Sequence, residues 1–388
     1  MWDKSNKSKP SPASVPSKRR DVITRTLYIL LLVAVSSASI MIGAGLAYKD
    51  YLLRLPTYIK KNVHATMVDE DGSVVKISDV VAAETTVIAI PFFEHVHNIL
   101  LIGVDSRSKS YSSSGSGSRA DVIMIMSVND EDNTIKLMSV ARDMYAYIPG
   151  YEDPQKINGA MTYGGPELLI ATLESSLRID LEEYAFVNFY HMEKIINTVG
   201  GVWVHVSEAE RTEPGGLNSI LSAENIERGL DVSTDLVESE GSQRLSGRQA
   251  VAYSRIRYVG NGDYERSRRQ VEVLQSLLTQ FTKLSLKGQA STVEHILPHV
   301  ATNIPSDKIE WYAFNFLSQL ESPKFIYEKL PIEGFYNQGT YSDFMNKQWS
   351  IRPDWNSMIP VVQEFLFGET YPFDPVRTIP KAPDAAND

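Results

Sequence analysis

The chain has 388 residues, room for two or three average domains or for one large domain with appendages. Hydrophobic residues at 43% and charged residues at 22% exclude a wholly disordered chain, and the absence of cysteine excludes disulfides, thiolate metal sites and cysteine nucleophiles. The formal charge of −10 argues against an overall nucleic-acid binder, so any anion site has to be local.

The charge is unevenly spread. Residues 1–25 carry seven basic and two acidic side chains, which leaves the remaining chain at −15. Their Ser, Pro and Lys content reads as an unfolded cytoplasmic tail. Thr26 to Tyr48 follow without a single charge. At ~1.5 Å rise per residue this stretch spans a hydrocarbon core of ~30 Å, so a transmembrane helix is expected over 26–48. The basic flank puts the N-terminus in the cytoplasm and everything past residue 50 outside. The stretch exceeds the ~7–15 residues of a signal-peptide core and no convincing A-x-A site follows, which favours an uncleaved anchor. Residues 49–92 read as a juxtamembrane connector.

Three apolar runs then suggest buried strands: Ile99 to Val104, Asp121 to Val128 and Ile135 to Ile148. Between the first two lies a polar, glycine-rich loop, 106–118, containing SSSGSGS. Pro166–Ser176 reads as a helix, Ala185–Phe189 as a strand, His191–Val199 as a helix and Val202–Val206 as a strand. Residues 211–244 read as a polar meander, Ala250–Tyr258 as a strand and Tyr264–Lys283 as a long helix. The alternation predicts helices packed on both faces of a mainly parallel sheet. With the first two strands allowed to pair antiparallel, the expected fold is a three-layer α/β/α domain with a mixed central sheet over 93–330, followed by an extension, 331–388.

The acidic domain gathers arginine in one place. Arg255, Arg257, Arg266, Arg268 and Arg269 fall within 15 residues. On a strand, Arg255 and Arg257 would share a face. On the following helix Arg266, Arg269 and Gln270 would share one, with Arg268 rotated away and Asp263 as N-cap. Cations in a first helical turn oppose the helix dipole unless an anion is bound, so a phosphate site is one reading. Pairing of the arginines with the domain's many acids is the other, and spacing leaves both open. Asp105 ends the first strand, where open α/β sheets gather ligands, and Arg119 and Asp121 begin the second. Asp121 shares an edge with Asp105 only if these strands run antiparallel. Two carboxylates beside phosphate suit Mg²⁺ or a similar hard cation, although both acids could equally be salt-bridge partners. His95/His97 and His295/His299 lack the further ligands of a metal site, and no Walker, GxGxxG or GxSxG motif occurs.

The succession LLIGVDSRS (100–108), SRADVIMI (118–125), SVARDMYAYIPG (139–150), KINGAMTYGG (156–165), TVGGVWV (198–204) and LSGRQAVAYSRIRYVGNGDYERSRRQ (245–270) resembles the LytR-CpsA-Psr family. The resemblance implies a membrane-anchored extracytoplasmic phosphotransferase. Such enzymes move an anionic glycopolymer, of wall teichoic acid or capsular polysaccharide type, from a polyprenyl-pyrophosphate carrier to peptidoglycan. It implies diphosphate-binding roles for Arg119, Arg142, Arg255, Arg257, Arg266, Arg269 and Gln270, with Arg119, Arg142 and Asp121 as the catalytic residues, and Asp105 and Asp121 as ligands of Mg²⁺ or Mn²⁺ as cofactor. For Asp121 general base and metal ligand both stay open. The chain departs from the family in its SSSGSGS loop and in Val122, where threonine is common. Two competing readings are a polyprenyl-pyrophosphate phosphatase, which differs only in accepting water, and an envelope-linked DNA-binding regulator. Topology, acidity and the lack of a helix-turn-helix pattern oppose the regulator.

Overall fold

The computed structural model describes residues 93–106, 119–260, 262–312, 324–340 and 349–379, with short segments between 57 and 79. The expected membrane helix and the SSSGSGS loop lie outside these residues. Among the described residues no helix is long and apolar enough to cross a membrane.

The strands are β1 (Thr57–Tyr58), β2 (Thr66–Val68), β3 (Val74–Lys76), β4 (Val96–Val104), β5 (Ala120–Asn129), β6 (Thr134–Val140), β7 (Tyr145–Ala146), β8 (Gln155–Lys156), β9 (Glu183–Asn188), β10 (Val202–Val206), β11 (Gly241–Leu245), β12 (Ala301–Thr302), β13 (Lys324–Leu330), β14 (Tyr336–Thr340) and β15 (Trp349–Pro353). The helices are α1 (Gly159–Leu177), α2 (Phe189–Val199), α3 (Glu208–Thr212), α4 (Leu217–Glu227), α5 (Gly247–Tyr253), α6 (Asp263–Thr282), α7 (Leu286–Ile296), α8 (Ser306–Glu310) and α9 (Trp355–Phe367).

One seven-stranded sheet, ordered β1-β12-β9-β4-β5-β6-β13, organises the fold. The β4–β5, β5–β6 and β9–β12 pairs are antiparallel, and the β1–β12, β4–β9 and β6–β13 pairs are parallel. The sheet is therefore mixed, because the chain turns back between β4 and β5 and again, through residues 130–133, between β5 and β6. Alternating side chains sort the sheet's two faces. Leu100, Ile102, Ile123, Ile125 and Met138 pack with Leu169 and Leu173 of α1 and with Met358 and Val362 of α9. Met124, Leu137 and Val128 pack with Val271 and Leu274 of α6 on the other face. Helices thus cover both faces. The stretch from 331 supplies α9 to the principal core, and β13 just before it is a member of the sheet.

Three local expectations need correction. The third strand ends at Val140, and the chain turns at once, with Met144 N–H donating to Ala141 O at 3.1 Å, so Arg142 lies beyond the strand. Residues 211–244 are no meander: α3, α4 and β11 pack with β10, α2 and α5 around Val204, Leu217, Leu221 and Val251. Ala250–Tyr258 is not a strand. Ser246 and Gln249 close a capping box, each side chain bonded to the other's backbone, and start helix α5 at Gly247.

Candidate active site

Asp121 owes its position to a β-bulge. Gly103 pairs with Val122 and Val104 with Ala120, so Asp121 is the extra residue on its strand. Bulges re-aim side chains at sheet ends, and this one sends Asp121 to the guanidinium of Arg142, which donates from Nη1 to Asp121 Oδ1. Arg142 Nε also lies 3.4 Å from Asp143 Oδ2, and Lys156 Nζ donates to Asp143 Oδ1 at 2.8 Å. Two carboxylates and two cations therefore alternate along one edge. The antiparallel β4–β5 pairing places Asp105, exposed just past Val104, at the same sheet end as Arg119 and Asp121.

A polar cleft of about 390 Å³ opens at this edge, lined by Asp121, Arg142, Arg266 and Gln270. Lys329 and Tyr264 also line it, and the Lys329 ammonium stands 3.7 Å from the Tyr264 ring centroid. The helix supplying Arg266 and Gln270 begins at Asp263, with Gly262 at the cap position. Arg266 is buried, although it occupies the first turn, where the helix dipole repels a cation.

A second cavity, about 170 Å³ and almost wholly apolar, opens between the sheet and helices α2, α5 and α6. Leu101, Val122, Phe189, Met192 and Leu274 line it, and Gln270 lines both spaces. On β5, Asp121 faces the cleft and the next residue, Val122, faces the cavity. Charged and apolar compartments adjoin across one strand.

The remaining arginines are placed differently. Arg255 lies over the Phe189 ring at the apolar cavity, 4.8 Å from its centroid, and pairs through Nη1 with buried Glu224 of α4. Phe189 N–H donates to Ser106 O at 3.1 Å, which draws the Asp105 end of β4 to the same rim. Arg257 is half-buried in the loop after α5. Arg269 does not share the cleft face of Arg266. Its guanidinium donates to Glu210 Oε1 at 2.7 Å, Ile256 O at 3.0 Å and Val259 O at 2.9 Å, which brackets Arg257 and fixes its loop. Arg119, Asp105, Arg255 and Arg257 lie outside the described lining of the cleft, and Arg268 joins an exposed network with Glu265 and Glu272.

Burial pushes the Glu210 carboxyl up, but Ser207's backbone amide and the Arg269 guanidinium outweigh it and hold the carboxyl below its ordinary value. A depressed carboxylate stabilises the fold above its unfolded pKa, and that stability is lost as pH falls through the folded value. Acid unfolding of Glu210→Gln should therefore depend less on pH below about 4.3 than that of the wild type. Arg269→Ala leaves a buried carboxylate without its guanidinium and should cost about 3–5 kcal/mol. Chemical denaturation of both variants across pH checks this; an unaltered stability for Arg269→Ala would remove the bracketing role.

The reading from sequence missed Glu210, Glu224, Asp143, Lys329 and Tyr264. For Glu210 a signal existed, because Ser207-x-x-Glu210 is a capping box. Lys329 is distant in sequence and reaches the cleft only through the β6–β13 pairing.

Comparison with known proteins agrees with the fold. The model of the LytR_cpsA_psr family matches residues 65–352. Regulatory protein MsrR of Staphylococcus aureus is 32% identical over 213 residues, covering 55% of this chain and 58% of the relative. The polyisoprenyl-teichoic acid–peptidoglycan teichoic acid transferase TagU of Enterococcus faecalis is 30% identical over 211 residues, covering 54% and 61%. The chain thus spans about three-fifths of the length of these relatives. Among solved structures, protein gbs0355 from Streptococcus agalactiae aligns with TM-score 0.59 at 22% identity, covering 73% of this chain and 92% of that one. TagV of B. subtilis aligns with TM-score 0.52 at 21% identity, covering 72% and 100%. With the family model spanning well over half its residues, the chain belongs to the LytR_cpsA_psr family.

Proposed function

We propose that the protein is a membrane-anchored, extracytoplasmic phosphotransferase that moves an anionic glycopolymer from a polyprenyl-pyrophosphate carrier to peptidoglycan. The observation that carries this reading is the junction at Gln270 of an apolar cavity with a cleft holding Arg142, Arg266 and Lys329. An amphiphile with a long hydrocarbon tail and a diphosphate head matches both compartments at once. The family membership and the relationship to TagU, a teichoic acid–peptidoglycan transferase, support the same class of polymer and acceptor.

In the proposed reaction a peptidoglycan hydroxyl oxygen attacks the phosphorus that bears the polymer. The new P–O bond forms as the bond from that phosphorus to the bridging oxygen breaks, and its electron pair leaves on polyprenyl phosphate. The hydroxyl proton passes to a base, for which Asp121 is the candidate. Arg142 and Arg266 stabilise charge that grows on the phosphoryl and leaving oxygens, Arg255 above the Phe189 ring guides the diphosphate from the cavity rim, and Arg257 is a further candidate contact from the loop after α5. Arg269 acts through the loop it clamps.

Carboxylate oxygens are the donors a hard cation takes. Asp105 and Asp121 offer carboxylate oxygens at one sheet end, and among the described residues no three His, Asp or Glu converge on one centre. Mg²⁺ or Mn²⁺ would then take its other ligands from phosphates and water and neutralise charge on the diphosphate. The 26–48 stretch would hold the domain at the outer membrane surface, where the lipid carrier lies.

Incubation of the full-length protein with a polyprenyl-diphosphate-linked glycopolymer, Mg²⁺ and peptidoglycan strands, followed by mass spectrometry, tests the reading. Polymer joined to peptidoglycan through a phosphodiester is the expected product; free phosphorylated polymer alone would show that water is the acceptor. Leu274→Trp, which fills the cavity without touching the cleft, should raise the donor KM about tenfold or more. An unchanged donor KM would move the lipid elsewhere.

A further inference from the structure

The β14–β15 hairpin lies in the stretch from 331 to which the sequence assigns no role. Its pairing sets Tyr336 opposite Pro353, Gln338 opposite Ile351 and Thr340 opposite Trp349. Side chains two residues apart share a face, so Tyr336, Gln338, Trp349 and Ile351 belong to one surface of the ribbon. All four line the polar cleft, and none lines the apolar cavity. The ribbon is fixed to the site's backbone: Ile351 N–H donates to Asp143 O at 3.0 Å, and Met144 bridges Ile351 in parallel. Asp143 is the neighbour of Arg142.

The composition of this face is specific. Trp349 is 42% exposed, in contrast to Trp355, whose indole is buried and donates to Tyr145 O. An aromatic ring left half in water, on the same ribbon face as the Gln338 amide one rung away and the Tyr336 phenol beyond it, suits a ligand with one apolar face and a polar rim. A pyranose ring has that form, with C–H bonds on its face and hydroxyl or acetamide groups around its edge. A hydrocarbon chain does not, and the apolar cavity already suits that part of the donor.

Reaction geometry decides which sugar. Attacking and leaving oxygens stand roughly in line across the phosphorus. The leaving polyprenyl phosphate trails into the cavity, lined by β4, β5 and β9. The cleft continues along β5, β6 and β13 to the hairpin, on the side of the sheet order away from β9. The nucleophile therefore approaches from the hairpin side. We propose that the β14–β15 hairpin is the acceptor platform, stacking a hexosamine ring of the peptidoglycan strand on Trp349, with Gln338 bonding its polar rim and Tyr336 further along the same face. This rests on the transfer reaction proposed above.

The test uses the full-length protein with Trp349→Ala and Trp349→Tyr. Binding of soluble, uncrosslinked peptidoglycan strands is measured by calorimetry without donor, and transfer kinetics are measured against each substrate. Trp349→Ala should weaken strand binding and raise the acceptor KM about tenfold, with kcat and donor KM within twofold and an unshifted melting temperature. Trp349→Tyr should keep most of the affinity, because it keeps a ring. Unchanged strand binding in Trp349→Ala, or no strand binding by the wild type, overturns the platform. A donor KM that rises in place of the acceptor KM also overturns it, and assigns the hairpin to the donor's polymer. If the wild type binds strands through Trp349 but yields no transfer product with any donor, the platform stands and the transfer reading falls.

Discussion

Arg142→Ala is expected to slow transfer by about 10²- to 10³-fold, mostly in kcat, as removal of one preorganised donor to a developing oxyanion does elsewhere. Arg142 is placed by three independent constraints. The turn after β6 carries it beyond the sheet, Ala141 N–H is bonded to Leu330 O at 2.9 Å, and its guanidinium lies between Asp121 and Asp143. Its side chain is 19% exposed, so the charge acts in a partly desolvated setting where it is worth more than on a surface. Arg142→Lys keeps the charge but loses the planar fork, and should recover only part of the rate. A double-substitution cycle with Asp121→Asn separates roles. If Arg142 serves only to pair Asp121, the double variant should be no slower than Asp121→Asn alone. If each contacts the reacting groups on its own, the double variant is slower than either single variant, approaching the product of the two losses. Wild-type rates in Arg142→Ala would remove it from the site.

Much of this site was legible because residues adjacent in sequence stay adjacent in the fold. The apolar runs gave β4 and β5, their antiparallel pairing brought Asp105 and Asp121 to one edge, and helical periodicity put Arg266 and Gln270 together on the cleft side of α6. Periodicity failed for Arg269. One helical turn separates it from Arg266, but the loop at Ile256 to Val259 and the carboxylate of Glu210 capture its guanidinium. A spacing rule sees the helix face and not the partner that packs on it. The strand assigned to Ala250–Tyr258 failed for another reason: a short apolar run of this length fits helix or strand, and the Ser246/Gln249 capping box decides the matter. Lys329 and the β14–β15 hairpin were invisible, because they join the cleft through pairings across more than 180 residues, Lys329 with Ser139 and Ile351 with Met144.

Asp121→Asn is expected to abolish transfer, and its Mg²⁺ dependence tells which role is lost. The side chain keeps its size and can still accept from Arg142, so the bulged position should hold. If Asp121 binds a cation that bridges the diphosphate, the variant needs more Mg²⁺, and excess metal restores part of the rate by mass action. If Asp121 accepts the acceptor's proton, added metal cannot replace it. The loss should then persist at about 10²- to 10⁴-fold at every Mg²⁺ concentration. If Asp121 only neutralises Arg142, the melting temperature falls while metal dependence and rate stay near wild type. The bulge favours a reactive role over a structural one: an ordinary register would serve a salt bridge as well, whereas an extra residue aims a single carboxylate out of the ladder at the cleft. Transfer rates against Mg²⁺ concentration for wild type and variant, beside their melting temperatures, read all three outcomes. Superimposable titrations with undiminished rates would exclude Asp121 both as metal ligand and as base.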